Sequence, residues 1–278
     1  MTMPTLPRPA DGFEWIEASW GAALRCLPLA RCAEHLFTTR PLPLPDDDTA
    51  WSRLAAAFGR PASALVRLRQ VHGADVLVGR RGDTMLPGAM PADIVVTDDP
   101  DAVLLVQVAD CVPLLLADCR RGVVAAAHAG WRGTAAGVPR IAVRALMESF
   151  GTRPADLVAV IGPSIGPCCY QVGGEVRDAF LAAGHAASDV ERWLASPAGI
   201  DGPAPGLHTL PAAPDRAQLD LPAANRDQLI AAGVPAEAVR VAGLCTAHHG
   251  DLLCSYRRDG AAAGRMVGAI RAAVAARE

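Results

Sequence analysis

The chain has 278 residues, 51% of them hydrophobic, with a formal net charge of −3. That length suits one large domain or two small ones and buries a core without disulfide staples, and the weak negative charge excludes a general attraction to nucleic acid or anionic membrane. All 26 basic residues are arginine, so a Schiff-base lysine is excluded by residue type.

The first 20 residues read as irregular and Pro-rich, and their opening has no apolar core of the kind a secretion signal needs. Pro41 to Asp48 reads as an exposed loop and Trp51 to Phe58 as a short helix. Ala64 to Val71 alternates like a strand. His72-Gly-Ala-Asp75 then turns the chain into Val76 to Val78, which predicts a hairpin-like unit. Asp93 to Thr97 is a short strand. Val103 to Val108 and Val112 to Ala117 are continuous apolar runs that fit strands buried on both faces, and Val123 to Ala127 is a third, ending at His128. The run from 102 to 129 is no membrane span, because Gln107, Asp110, Asp118, Arg120 and Arg121 interrupt it.

A helix follows, closed by Gly151 after Phe150. Pro139 is costly inside a helix but tolerated in its first turn, so the helix is expected to start near Val138. Leu157 to Ile161 is a strand, 162–167 a tight loop and Glu175 to Ala183 a helix. Residues 186–216 show no clear period and read as a long connection. Leu219 to Ala232 is a helix stopped by Gly233; Val239 to Leu244, Leu252 to Tyr256 and Met266 to Ile270 are late strands. Strands come in runs, so the class is α+β.

Eight cysteines are scattered with no Cys-x-x-Cys pair, which is no disulfide framework and predicts a reduced, cytoplasmic protein. Cys168 and Cys169, with Cys245 and Cys254, read as buried thiols, since adjacent cysteines rarely share a metal. His72, Cys111 and His128 differ: each ends an apolar, strand-like run. Two imidazoles and a thiolate make a three-ligand zinc set that leaves one position open, the mark of a catalytic site. Gln70, Asp75, Asp110 and Arg132 stand beside them as supporting groups. The alternatives are a Cys111–His128 nucleophile and base oriented by Asp110 or Asp75, or ordinary core residues. Two His and a Cys also suit blue copper, but a trinuclear copper cluster needs His-x-His pairs, and none of the seven histidines forms one. Trp131 to Thr134 precedes a helix and carries Arg132, which suits an anion such as phosphate, with helix capping by Thr134 as the plainer role. Arg257 and Arg40 are further candidates to reach the site or to sit on the surface.

His35-Leu-Phe-Thr-Thr-Arg40, Gln70-Val-His-Gly-Ala-Asp75, Ala109 to Asp118, Ala127-His-Ala-Gly-Trp-Arg-Gly-Thr134, Ile161 to Tyr170, Leu219-Asp-Leu221 and Ser255-Tyr-Arg-Arg-Asp-Gly260 with Gly264-Arg-Met266 together resemble the YfiH family. Members are called polyphenol oxidase (laccase-like), peptidoglycan editing factor and purine nucleoside phosphorylase. The resemblance runs in order over about residues 35–270 and implies a single domain, 1–278, of α/β/β/α layers with mixed sheets. It implies zinc on His72, Cys111 and His128, with Cu2+ the less favoured metal. The implied activities are phosphorolysis of adenosine, inosine and methylthioadenosine and hydrolytic deamination of adenosine. Asp75 and Asp110 are then the candidate proton carriers, and Arg40, Gln70, Arg132 and Arg257 the candidate contacts to nucleoside and phosphate. A cytoplasmic monomer without nucleic-acid or membrane partners is expected. The other classes kept open are a Cys-His amidase editing peptidoglycan precursors, a copper-dependent polyphenol oxidase, and a nucleoside sensor without turnover. The family's Gly-Gly-Val-Ser after the residue matching Arg40 is replaced here by Pro41-Leu-Pro-Leu-Pro45.

Overall fold

In the computed structural model, residues 6–44, 47–83, 90–195, 203–204, 207 and 215–273 are described. The strands are β1 (Phe13–Ala18), β2 (Gly21–Cys26), β3 (Ala33–Phe37), β4 (Leu65–Arg67), β5 (Val76–Gly79), β6 (Ile94–Thr97), β7 (Val103–Val108), β8 (Val112–Asp118), β9 (Val123–Ala129), β10 (Leu157–Ile161), β11 (Gln171–Val172), β12 (Ala217–Gln218), β13 (Val239–Val241) and β14 (Met266–Ala272). The helices are α1 (Leu27–Ala30), α2 (Asp48–Ala57), α3 (Trp131–Ala135), α4 (Val138–Phe150), α5 (Gly174–Ala182), α6 (Ala187–Leu194), α7 (Leu221–Ala231) and α8 (Tyr256–Asp259).

Two six-stranded mixed sheets carry the fold, ordered β1-β2-β3-β14-β7-β4 and β13-β10-β8-β9-β6-β5. Alternation along each strand sorts the core into three layers. In β7, Val103 and Leu105 face α2, whereas Leu104 and Val106 face the second sheet. In β8 and β9, Leu115, Ala117, Val124 and Ala126 answer them across the inter-sheet layer. Leu114, Leu116, Ala125 and Ala127 face the other way, against Ala142, Val143 and Leu146 of α4 and Leu229 of α7. Strands apolar on both faces are what this double burial demands, and the result is an α/β/β/α stack. The C-terminal β14 pairs with both β3 and β7, so the first sheet needs both ends of the chain.

α4 starts at Val138 with Pro139 in its first turn and ends at Gly151, whose φ of 67° supplies the left-handed cap. Thr134 is not a cap: it lies within α3 and takes a 3.0 Å hydrogen bond from the buried Asn225, tying α7 to α3. Phe37 needs a glycine opposite it, since a Cβ at Gly162 would stand 2.3 Å from its ring.

Several sequence expectations are corrected. Residues 13–26 form the β1–β2 hairpin rather than an irregular lead, with Phe13 and Trp15 packed on one core layer and Ile16 and Ala18 on another. β4 and β5 are no hairpin; they lie in different sheets, paired in parallel to β7 and β6, because the chain crosses between layers at 68–75. Within 186–195 the chain forms α6, which buries Val190, Trp193 and Leu194 at i, i+3 and i+4; residues 196–202, 205–206 and 208–214 of the expected connection lie outside the described residues. Leu252 to Tyr256 forms no strand. Ser255 instead caps the short α8 by accepting from the Arg258 N–H. Cys32 and Cys119 are joined in a disulfide across 87 positions, with Cα atoms 4.6 Å apart, so the cysteines are not all reduced. That pairing joins the start of β3 to the β8–β9 turn, a proximity that spacing alone does not encode.

Candidate metal centre and its pocket

The inter-sheet layer opens at one end into a cavity of about 600 Å³, within the range for small-molecule sites. His72, Cys111 and His128 all line it, and their ligating atoms lie within 4.8 Å of one another. Register explains the convergence. Pairing sets His128 opposite Pro113, and the alternation that points Val124 and Ala126 between the sheets points His128 the same way. Cys111, just before β8, packs on that same inter-sheet cluster. His72 arrives from the crossover before β5, with its Nε2 3.9 Å from the Cys111 sulfur.

Two backbone positions in the site are strained. His72 has φ 59° and Asp110 φ 90°; such left-handed conformations cost about 1–3 kcal/mol each at non-glycine residues and persist only where surroundings enforce them. Asp93 enforces the first. Its carboxylate accepts the N–H groups of Val71 (3.1 Å), His72 (3.1 Å) and Gly73 (2.7 Å). It also bonds His128 Nδ1 at 2.7 Å, leaving Nε2 for a ligand. Burial would raise the Asp93 carboxyl, but these bonds outweigh it and hold it below the usual carboxylate range. The Asp110 conformation is held by Thr246 Oγ1 (2.6 Å) and the Arg257 N–H (2.6 Å), both donating to its carboxylate.

Burial alone would push the Cys111 thiol up; hydrogen bonds from His128 and His72 reverse that, and it falls to about 7. Burial would lower His128, but Asp93 and Cys111 together raise it to about 9. A soft sulfur, two imidazoles and a carboxylate behind one of them form a donor set that suits a zinc-type ion. The site has also been cleared of bulk: a Cβ on Gly130 would sit 2.8 Å from the Cys111 sulfur and 3.1 Å from His72 Cδ2. Gly130→Ala is therefore expected to weaken metal binding by about 1–3 kcal/mol through overpacking while melting close to wild type; zinc titration beside thermal unfolding checks it.

The other candidates divide. Gln70 lines the cavity, but its amide is pinned to the Gln107 backbone in both directions, at 2.8 and 2.7 Å. Arg132 lines it from the first turn of α3, stacked 4.3 Å over Trp131. Arg257 lines it too, with Nη1 donating to the Gln171 carbonyl (2.8 Å) and its guanidinium 5.1 Å over Tyr170. Arg40 stands outside the lining, paired with Asp259 and the Leu253 carbonyl. Asp75 is exposed and outside the lining; its carbonyl receives the N–H groups of Asp93 and Ile94. Asp110 lines the cavity with its carboxylate engaged as described. Asp93, Tyr170, Tyr256 and Arg265 escaped the sequence reading. Asp93 had one signal, a charge set directly before the apolar Ile94-Val-Val96 run; the structure buries it fully. Burial leaves Tyr170 neutral, with a raised phenol pKa.

The family model described as "Multi-copper polyphenol oxidoreductase laccase" matches residues 48–273. The chain is 36% identical over 224 residues to "Purine nucleoside phosphorylase YlmD" of Geobacillus stearothermophilus, covering 77% of this chain and 74% of that one. It is 34% identical over 218 residues to "Adenosine deaminase RL5" of an unknown prokaryotic organism, covering 76% of each. Among solved structures, the Bacillus licheniformis hypothetical protein YfiH superposes with a TM-score of 0.77 at 26% identity, covering 95% of this chain and all of that one.

Proposed function

Since the chain belongs to the multi-copper polyphenol oxidoreductase laccase family, we propose that it is a zinc-dependent purine nucleoside enzyme, phosphorolysing adenosine, inosine and methylthioadenosine and deaminating adenosine. The observation that carries this is the convergence of His72, Cys111 and His128 in one cavity with arginines. The names of the relatives, a phosphorylase and a deaminase, support the substrate class.

His72, Cys111 and His128 would hold the ion, which when bound supplies Lewis-acid polarisation and acidifies a water for hydrolysis. Copper in a trinuclear cluster is disfavoured by counting: the two metal-competent groups among the described residues contain two histidines and one histidine. Arg132, Arg257 and Arg265 line the cavity and supply the planar donors that phosphate needs. Tyr170 and the Gln171 carbonyl hold the Arg257 guanidinium, and the Ala263 and Gly264 carbonyls hold that of Arg265. The neutral Tyr170 phenol, which lines the cavity, would donate to a purine ring nitrogen and so help the base depart. Asp110 acts through position: it holds the backbone turn that aims Cys111.

No helix among the described residues is long and apolar enough to cross a membrane. The test is turnover of adenosine by zinc-loaded protein, with and without phosphate. Adenine formed only with phosphate, and inosine formed without it, are expected. No conversion of any of the three nucleosides by the loaded protein would end this reading. A Cys-His amidase has one observation behind it, the depressed Cys111 thiol beside two imidazoles; its activity would survive a chelator, whereas nucleoside turnover would not.

A further inference from the structure

Four other donors meet about the 162–170 loop. Cys168, Cys169, Cys245 and His248 have ligand atoms all within 4.8 Å of one another. His248 Nδ1 is 3.3 Å from the Cys168 sulfur and 3.9 Å from that of Cys169. A tetrahedral zinc with Zn–S bonds of about 2.3 Å requires ligand–ligand edges of about 3.8 Å. The two adjacent cysteines can share an ion because they lie in a turn, with the Cys169 and Tyr170 N–H groups both bonded to the Gly166 carbonyl. On a strand their side chains would oppose each other. The sequence reading of Cys168, Cys169 and Cys245 as ordinary buried thiols is therefore incomplete.

The sulfurs also receive the backbone donors that suit thiolates. Gly166 N–H donates to Cys245 Sγ and Ala204 N–H to Cys169 Sγ, each at 3.3 Å. Ile165, Ala204 and Ala247 pack around them as a small apolar cluster. Cys111 belongs to the other donor group, so the two groups share no residue.

We propose that Cys168, Cys169, Cys245 and His248 bind a second zinc ion in a closed Cys3His site, structural rather than catalytic because the protein fills all four positions. This ion would clamp the 162–170 loop to the 245–248 segment, which are otherwise joined by the Ser164–Cys245 bridge. Both segments of that clamp reach the catalytic cavity. Tyr170, next to Cys169, lines it, and Thr246, next to Cys245, donates to the Asp110 carboxylate beside Cys111. The second ion would thus set one wall of the pocket without touching substrate.

The probe is zinc itself, counted by elemental analysis on full-length protein purified under reducing conditions without chelator. The deciding protein is Cys111→Ala, in which the first site is disabled and the second untouched. One zinc per chain is expected there, and the added substitution Cys245→Ser should bring it to none. Stripped and reloaded with Co2+, the same Cys111→Ala protein should show strong near-ultraviolet thiolate-to-cobalt absorption from three sulfurs. A Cys111→Ala protein that carries no zinc and gives no such absorption overturns the proposal. Neither readout uses nucleoside turnover, so failure of the catalytic reading would leave this result standing.

Discussion

Cys111→Ala is expected to remove the ion from the His72–Cys111–His128 site and to lower nucleoside turnover by about 10³-fold, the several kcal/mol that a bound Lewis acid supplies. The loss should be chemical rather than structural. Cys111 is partly buried and packs only on the rim of the inter-sheet cluster, so the layers beneath it keep their contacts. Steady-state kinetics with metal analysis and circular dichroism on the same samples separates the two. Unchanged turnover in a Cys111→Ala protein that has lost the ion of the His72–Cys111–His128 site would detach catalysis from this site altogether. The wild-type thiol gives a second reading. Without metal, its pKa of about 7 makes Cys111 alkylate readily at neutral pH, with a rate rising through that value. With metal bound, one sulfur lone pair is donated to the ion and the thiolate charge is drawn off, so iodoacetamide should react with it far more slowly.

Asp93→Asn is the second large effect, and it comes from a residue that touches no substrate. One carboxylate bonds His128 Nδ1 and three consecutive N–H groups from Val71 to Gly73. Asparagine keeps the shape but replaces one acceptor oxygen by a donor, so at least one of those N–H groups faces another donor. The left-handed turn at His72 loses its clamp, and His128 loses the partner that fixes its tautomer. Loss of such a supporting group costs about 10–100-fold in metal affinity. Zinc titration reads it, and Asp93→Glu should restore little, since the longer arm misplaces both oxygens.

A pH signature distinguishes this positioning role from a merely structural one. In metal-free protein Asp93 lies below its ordinary 3.8, because its hydrogen bonds overcome desolvation, and His128 is lifted from 6.5 to about 9. A depressed carboxylate stabilises the fold above its unfolded pKa, and a raised imidazole does so below its own. The pair therefore contributes fully between 3.8 and 6.5, and its contribution falls away as pH rises through about 9 or drops through the depressed Asp93 value. Thermal unfolding of metal-free wild type against pH should show that profile, and Asp93→Asn should shrink it to the part of the His128 shift that Cys111 supplies. Identical profiles would remove Asp93 from the account of the site.

How much of this was written in the chain can be judged residue by residue. The continuous apolar runs of β7, β8 and β9 announce strands buried on both faces, and Pro139 with Gly151 brackets α4 to the residue. Such features are local, since burial on one or both faces leaves its period in the side chains themselves. The three donors His72, Cys111 and His128 stand out because polar groups ending apolar strands are costly unless used. Their meeting is another matter. It depends on β9 pairing with β8 in one register and on the chain crossing from β4 in one sheet to β5 in the other. Asp93 was visible only as a charge at the start of a strand, and nothing local marks its bond to a histidine 35 residues away. Cys168 and Cys245 are 77 positions apart, and their meeting is decided by a loop packing beside a distant segment. Sequence by itself determined the central strands and α4, which of their faces are buried, and the kinds of donor available. The tertiary structure alone decided which donors share a site, because periodicity records that a face is buried and never which distant face will cover it.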